Sequence, residues 1–129
     1  MNLTQHPLTD FEQRLVNVAA GREYELTHLL VKVCELRHPT SCVTIYLDRQ
    51  RNLRQAIRVK IHPETSGEML EAIEGIQGLS IKPDLFHHAN MRRFPKRLNG
   101  GKEKINFARA VVCADITAFD RLLQTLAVE

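Results

Sequence analysis

The feature that most limits how this chain can fold is a change in hydrophobic spacing near Pro39. Before this proline, apolar side chains recur at the spacing of one helix face. After it, Val43, Ile45 and Leu47 occupy every second position, as in a half-buried strand. The two periods follow one another along the chain, so the sequence predicts an α+β protein.

An N-terminal helical segment is predicted over residues 9–37. Thr9 and Glu12 have the spacing of a capping box, in which each side chain satisfies a free backbone N–H. Apolar residues continue at helical spacing on both sides of Gly21, where a break or a bend is expected.

Residues 41–78 are predicted to form a first ββα unit. The residues Ile57–Ile61 alternate apolar with basic side chains and should pair with the preceding strand as an antiparallel hairpin. A second capping box begins at Thr65, and a short helix should follow it. The next stretch, Leu79–Phe86, contains a proline, which favours a loop or an edge strand.

Residues 91–127 are predicted to form a second ββα unit. The runs Met91–Leu98 and Lys104–Ile116 flank an Asn-Gly-Gly turn and should form a hairpin. Thr117 can cap a last, strongly amphipathic helix. Together the two units predict one domain with a four-stranded antiparallel sheet, helices on its apolar face and an open cationic face.

This order of elements resembles the topology of one half of a LAGLIDADG homing endonuclease. The resemblance is limited to topology, because the Gly-Asp helix ending that supplies the metal-binding acid of that family is absent around Leu26–Pro39. The activity of the family is therefore not transferred to this chain.

The densest charge lies around the predicted turn at the end of the second hairpin. Only Glu103 opposes six basic residues there, which are Arg92, Arg93, Lys96, Arg97, Lys102 and Lys104. Such a cluster destabilises itself by like-charge repulsion unless it meets an anion, and a nucleic-acid backbone presents anions most densely. We therefore expect these side chains to contact phosphates of DNA or RNA.

The outer face of the predicted sheet carries a second basic group around one aromatic ring. Its members are Tyr46, Arg54, Arg58 and Lys60. Such a face could stack a base and hold phosphates. Two alternatives remain: a solvated basic surface without a ligand, or an interaction or inhibitor module of a phage or mobile-element kind that docks on a protein or ribonucleoprotein.

Two further groups are candidates for chemistry: a Cys-His-Cys series and a histidine pair. The series is Cys34, His38 and Cys42, with His62 or Cys113 as a possible fourth zinc ligand. Established zinc motifs use tighter pairs, so the cysteines are expected in the core and no metal or cofactor is expected. His87 and His88 could act as general bases in metal-independent RNA cleavage, but no second acid or base is evident, and a non-enzymatic protein is expected.

Composition supports a cytoplasmic location. The 129 residues have a formal net charge of +3 and an odd number of cysteines, which argues against a secreted disulfide framework. No apolar run is long enough to span a membrane, and the N-terminus lacks a signal-peptide pattern. A free sheet edge could pair across a two-fold axis, so a homodimer is a further possibility.

Overall fold

The computed structural model describes residues 7–49, 57–98, 101 and 103–127, and these ranges contain three helices and seven strands. The helices are α1 (Asp10–Gly21), α2 (Gly67–Glu74) and α3 (Ile116–Leu126). The strands are β1 (Glu25–Leu29), β2 (Val33–Arg37), β3 (Thr44–Asp48), β4 (Ile57–Ile61), β5 (Leu79–His87), β6 (Lys96–Leu98) and β7 (Lys104–Cys113). The α+β class with an antiparallel sheet is confirmed.

The sheet is larger than predicted. Its strands lie in the order β1-β2-β3-β4-β7-β5, and the short β6 also pairs with β7. Every pairing is antiparallel. The prediction of a four-stranded sheet built from two ββα units is therefore wrong, and the order of elements no longer matches the homing-endonuclease topology.

The N-terminal half explains most of that difference. Helix α1 begins at the predicted capping box, where Thr9 and Glu12 exchange hydrogen bonds, but it ends at Gly21. Glu23 then adopts a left-handed φ of 69°, and the chain continues as the β1–β2 hairpin. The apolar residues between Leu26 and Cys34 fit a helical spacing, yet the pairings of β1 with β2 and of β2 with β3 place most of them in a sheet.

Later elements follow the prediction more closely. Strands β3 and β4 pair as the expected hairpin, with Tyr46 opposite Lys60. The proline-containing stretch is the edge strand β5, and its register with β7 shifts between Ile81 and Leu85, around Pro83. The N-caps of two helices differ from the prediction by one or two residues. Ser66 caps α2 in place of Thr65, and Asp115 caps α3 in place of Thr117.

One face of the sheet forms the main core. Alternate residues of β2, β3, β4 and β7 point to the three helices, whose apolar side chains complete a single buried cluster. Helix α3 contributes most, through Phe119, Leu122 and Leu123, each with no exposed surface. The connection between α2 and β5 approaches α3 closely: Gly78 has φ of +91°, and a Cβ there would lie 2.9 Å from that of Ala118. A side chain at position 78 is therefore disfavoured both by the backbone conformation and by the contact with Ala118.

Candidate nucleic-acid interface

The second face of the sheet is organised around a buried carboxylate. Glu35 of β2 has no exposed surface and lies opposite Tyr46 of β3. The Tyr46 hydroxyl donates a hydrogen bond of 2.6 Å to Glu35 Oε1, and the Thr27 hydroxyl donates one of 2.7 Å to Oε2. A buried carboxylate is costly unless it is ionised beside cations or fully hydrogen-bonded, so its remaining partners matter.

Those partners are the first two arginines of the basic run. Arg92 donates from Nε and Nη2 to the two oxygens of Glu35, at 3.1 and 3.0 Å, and Arg93 donates from Nε to Oε2 at 3.2 Å. Burial alone would raise the pKa of Glu35, but the hydrogen bonds from Arg92, Tyr46, Thr27 and Arg93 lower it to about 2. The carboxylate therefore stays charged and holds the segment that carries both arginines against the sheet.

Tyr46 is part of this structural arrangement rather than of an exposed stacking surface. It is fully buried, its oxygen accepts a hydrogen bond from the Arg93 backbone N–H at 3.0 Å, and its ring packs edge-on against Phe94. Tyr46, Phe94 and Met91 belong to a second apolar cluster between the sheet and the β5–β6 connection. The expectation of an open cationic face is wrong because this connection covers much of it.

The other residues predicted on the cationic face, Arg54, Arg58 and Lys60, differ in their surroundings. Lys60 is largely buried, with its Nζ 3.7 Å from Asp48 Oδ2 and 4.7 Å from the centre of the Phe86 ring. Arg58 is half-buried, and its Nε has no hydrogen-bond partner among the described residues. The predicted contact Arg54 lies outside the described residues.

The remaining basic residues of the run lie on a two-stranded ribbon formed by β6 and the start of β7. Lys96 pairs with Asn106, and Leu98 pairs with Lys104. Lys96, Arg97 and Lys104 are exposed, and within the described ranges no carboxylate lies at ion-pairing distance from any of them. Lys102, predicted at the same tip, is outside those ranges.

The histidine pair is divided between two environments. His87 Nε2 accepts a hydrogen bond of 3.0 Å from Arg97 Nε, and both groups pack on the ring of Phe107. His88 Nδ1 accepts from the Asn90 backbone N–H at 3.1 Å. Burial, followed by the charge of Lys32, lowers the pKa of His88. The histidines thus have different partners and do not form an acid–base pair with each other.

The Cys-His-Cys series is not brought together as a ligand set. Cys34 is buried in the main core, whereas Cys42 is exposed at a left-handed φ of 64°. His38 accepts a hydrogen bond from the Ser41 backbone N–H, and its ring packs edge-on against Tyr24. In the part of the chain that the structure describes, no three His, Cys, Asp or Glu side chains could hold a metal ion.

Comparison with known proteins adds no functional assignment. No protein-family model, curated protein or solved structure matches this chain. Among the helices that the structure describes, none is long and apolar enough to cross a membrane.

Proposed function

We propose that this protein binds the phosphate backbone of a nucleic acid through the β6–β7 ribbon. The observation that supports the proposal is the contrast in charge pairing within the basic run. Arg92 and Arg93 share the buried carboxylate of Glu35, whereas Lys96, Arg97 and Lys104 have no described carboxylate beside them. Cations without an acidic partner can neutralise phosphates and thereby release the counterions condensed on a nucleic acid.

The shape of the ribbon suits this role. A two-stranded antiparallel ribbon is narrow enough to enter the major groove of B-DNA, and it can equally lie along a single strand. Lys96 and Lys104 belong to opposite strands of the ribbon and occupy the same face, because Lys96 pairs with Asn106 and Lys104 is two residues before it. Two cations on one face can contact phosphates together.

Arg92 and Arg93 are assigned a smaller share of binding. Their side chains are 50% and 40% exposed, so each can still direct N–H donors to solvent. However, the two positive charges are offset by one carboxylate, and together they leave a net charge of about +1. They chiefly anchor the connection from which the ribbon extends.

The test is fluorescence anisotropy with labelled single- and double-stranded DNA and RNA at several salt concentrations. We expect wild-type protein to bind at least one of these polymers, with log affinity falling linearly with log salt. The variant Lys96→Glu with Lys104→Glu should bind at least about 10-fold more weakly, since each lost contact also becomes a repulsion.

The matched control is Arg14→Glu with Arg121→Glu. These exposed arginines lie on α1 and α3, on the opposite side of the sheet, and the substitutions change the net charge by the same amount. The control should lose much less affinity than the ribbon variant. Equal losses in the two variants would show that only overall charge matters, and absence of binding at low salt would refute the proposal.

A further inference from the structure

A cleft opens on the second face of the sheet, beside the connection held by Glu35. Its volume is about 510 Å³, within the range of roughly 300–1,000 Å³ that is typical of small-molecule sites. Its walls include Lys32, Asp48, Lys60, Phe86, His88 and Met91. The hydrogen bonds of Arg92 and Arg93 to Glu35 and Tyr46 do not involve these groups.

The cleft exists because β7 carries small side chains on this face. Lys60 of β4 pairs with Ala110, and Phe86 of β5 pairs with Ala108, so nothing on β7 separates the two larger side chains. The ammonium of Lys60 and the Phe86 ring therefore meet above the alanines. This arrangement combines an aromatic wall with a buried cation.

The polar groups of the cleft are only loosely paired. The 3.7 Å between Lys60 Nζ and Asp48 Oδ2 is longer than a hydrogen bond, which leaves a donor and an acceptor for a ligand. His88 accepts through Nδ1, so its neutral ring carries the proton on Nε2. Burial lowers the pKa of Lys60, which means that its charge is incompletely compensated and that an anion beside it would stabilise it.

The cleft lies next to the ribbon. The His88 backbone N–H donates to the Asn106 carbonyl oxygen, and Asn106 pairs with Lys96 on its other side. Two strand spacings thus separate the backbones of His88 and Lys96, which is about 10 Å. A strand whose phosphates contact the ribbon can reach the cleft within a few nucleotides.

We propose that this cleft receives one unstacked base of a single-stranded nucleic acid whose phosphates contact the β6–β7 ribbon. The inference rests on the proposed function and names its substrate class. Phe86 offers the base an aromatic surface, Asp48 can accept a hydrogen bond from an exocyclic amine, and Lys32 and Lys60 attract the adjoining phosphate. A base in a duplex cannot enter without leaving its stack.

The experiment compares two labelled strands of about 12 nucleotides, one with bases and one abasic throughout. Both carry the same phosphates, so the ratio of their affinities isolates the bases. We expect wild-type protein to favour the strand with bases by about 10-fold, equivalent to about 1.4 kcal/mol. Phe86→Leu keeps an apolar side chain but removes the ring, and should reduce the ratio to about 3-fold or less.

Phe11→Leu is the matched control, because Phe11 is an exposed aromatic residue of α1. The Phe11→Leu variant should keep the full preference for the strand with bases. A second cleft variant, Asp48→Leu with Lys60→Met, replaces the polar pair without leaving an unpaired charge, and should also lower the ratio. Affinity for the abasic strand should remain unchanged in Phe86→Leu and Phe11→Leu, since neither residue is charged.

The outcomes separate the two proposals. If the abasic strand binds through Lys96 and Lys104 but wild-type protein shows no preference for bases, the cleft proposal is refuted and the ribbon proposal stands. The cleft proposal is likewise refuted, and the ribbon proposal stands, if Phe86→Leu keeps the wild-type preference for the strand with bases. If neither strand binds, both proposals fail.

Discussion

Two pairs of basic residues from one stretch of the sequence, Arg92–Lys104, have opposite surroundings. Arg92 and Arg93 bind a carboxylate with no exposed surface, while Lys96 and Lys104 extend from a ribbon without a described acidic partner. In the sequence the four residues belong to one uniform basic run. The difference shows that the density of charge along a chain does not reveal which charges are available to a ligand.

The residue that distinguishes the arginine pair from the lysine pair is far from both in the sequence. Glu35 lies 57 residues from Arg92, on a strand whose other side faces the main core. Its ion pairs join the β5–β6 connection to the sheet and orient the ribbon that follows. Arg92 and Arg93 are thus a structural support, and Lys96 and Lys104 are the proposed binding groups.

The largest effect is expected from removing the charge of that carboxylate. The decrease of the Glu35 pKa from 4.5 to about 2 corresponds to a preference of about 3 kcal/mol for the charged form in the folded state. Glu35→Gln should lower the free energy of unfolding, measured with urea, by about this amount. Glu25→Gln, at an exposed position of the neighbouring strand, should change it by less than about 0.5 kcal/mol.

The same contribution should depend on pH. Since the pKa of Glu35 is lower in the folded than in the unfolded chain, its stabilisation is fully present above about pH 4.5 and is lost as the pH falls towards about 2. The difference in unfolding free energy between wild type and Glu35→Gln should shrink over that interval. A difference that stays constant down to pH 2 would contradict the assignment of the low pKa to Glu35.

A smaller effect is expected from the tyrosine that supports the carboxylate. Tyr46→Phe removes one hydrogen bond to Glu35 and leaves the Arg93 backbone N–H without its acceptor, at a cost of about 1–2 kcal/mol. A double-mutant cycle with Glu35→Gln, followed by urea unfolding, measures the coupling. Strictly additive effects would mean that the two side chains act independently.

The smallest effect on stability is expected at the ribbon. Lys96→Ala with Lys104→Ala should leave the Tm unchanged within about 1 °C, because neither side chain has a described acidic partner. Arg92→Ala with Arg93→Ala should lower the Tm by about 10 °C, since Glu35 stays buried without its cations. Equal shifts in a thermal melt of the two variants would remove the distinction between the pairs.

Much of the fold could be predicted from local patterns. The capping box at Thr9, the β3–β4 hairpin and the amphipathic α3 each depend on neighbouring residues and were found in the sequence. The β1–β2 hairpin was missed because Leu26–Cys34 fits a helical spacing as well as a strand, and pairing with β3 decides between them. Such pairing joins separate segments of the chain, and the periodicity within one segment does not reveal it.

The site was predictable only in part. The ribbon was expected from the basic run and its Asn-Gly-Gly turn, and its role in binding remains a prediction. The burial of Tyr46 could not be predicted, because it depends on the β5–β6 connection folding over the sheet. One signal was available: Glu35 is an acid amid the apolar residues Val33, Cys34 and Leu36, which often indicates a buried charge with a partner elsewhere.

The most direct test of the division between the two pairs is the salt dependence of nucleic-acid binding in the two alanine variants. Relative to wild type, Lys96→Ala with Lys104→Ala should reduce the slope of log affinity against log salt by about 1.5, the value for two lost phosphate contacts. Arg92→Ala with Arg93→Ala should reduce it by less than about 1, because Glu35 already offsets one charge. A larger reduction in the arginine variant than in the lysine variant would contradict the account.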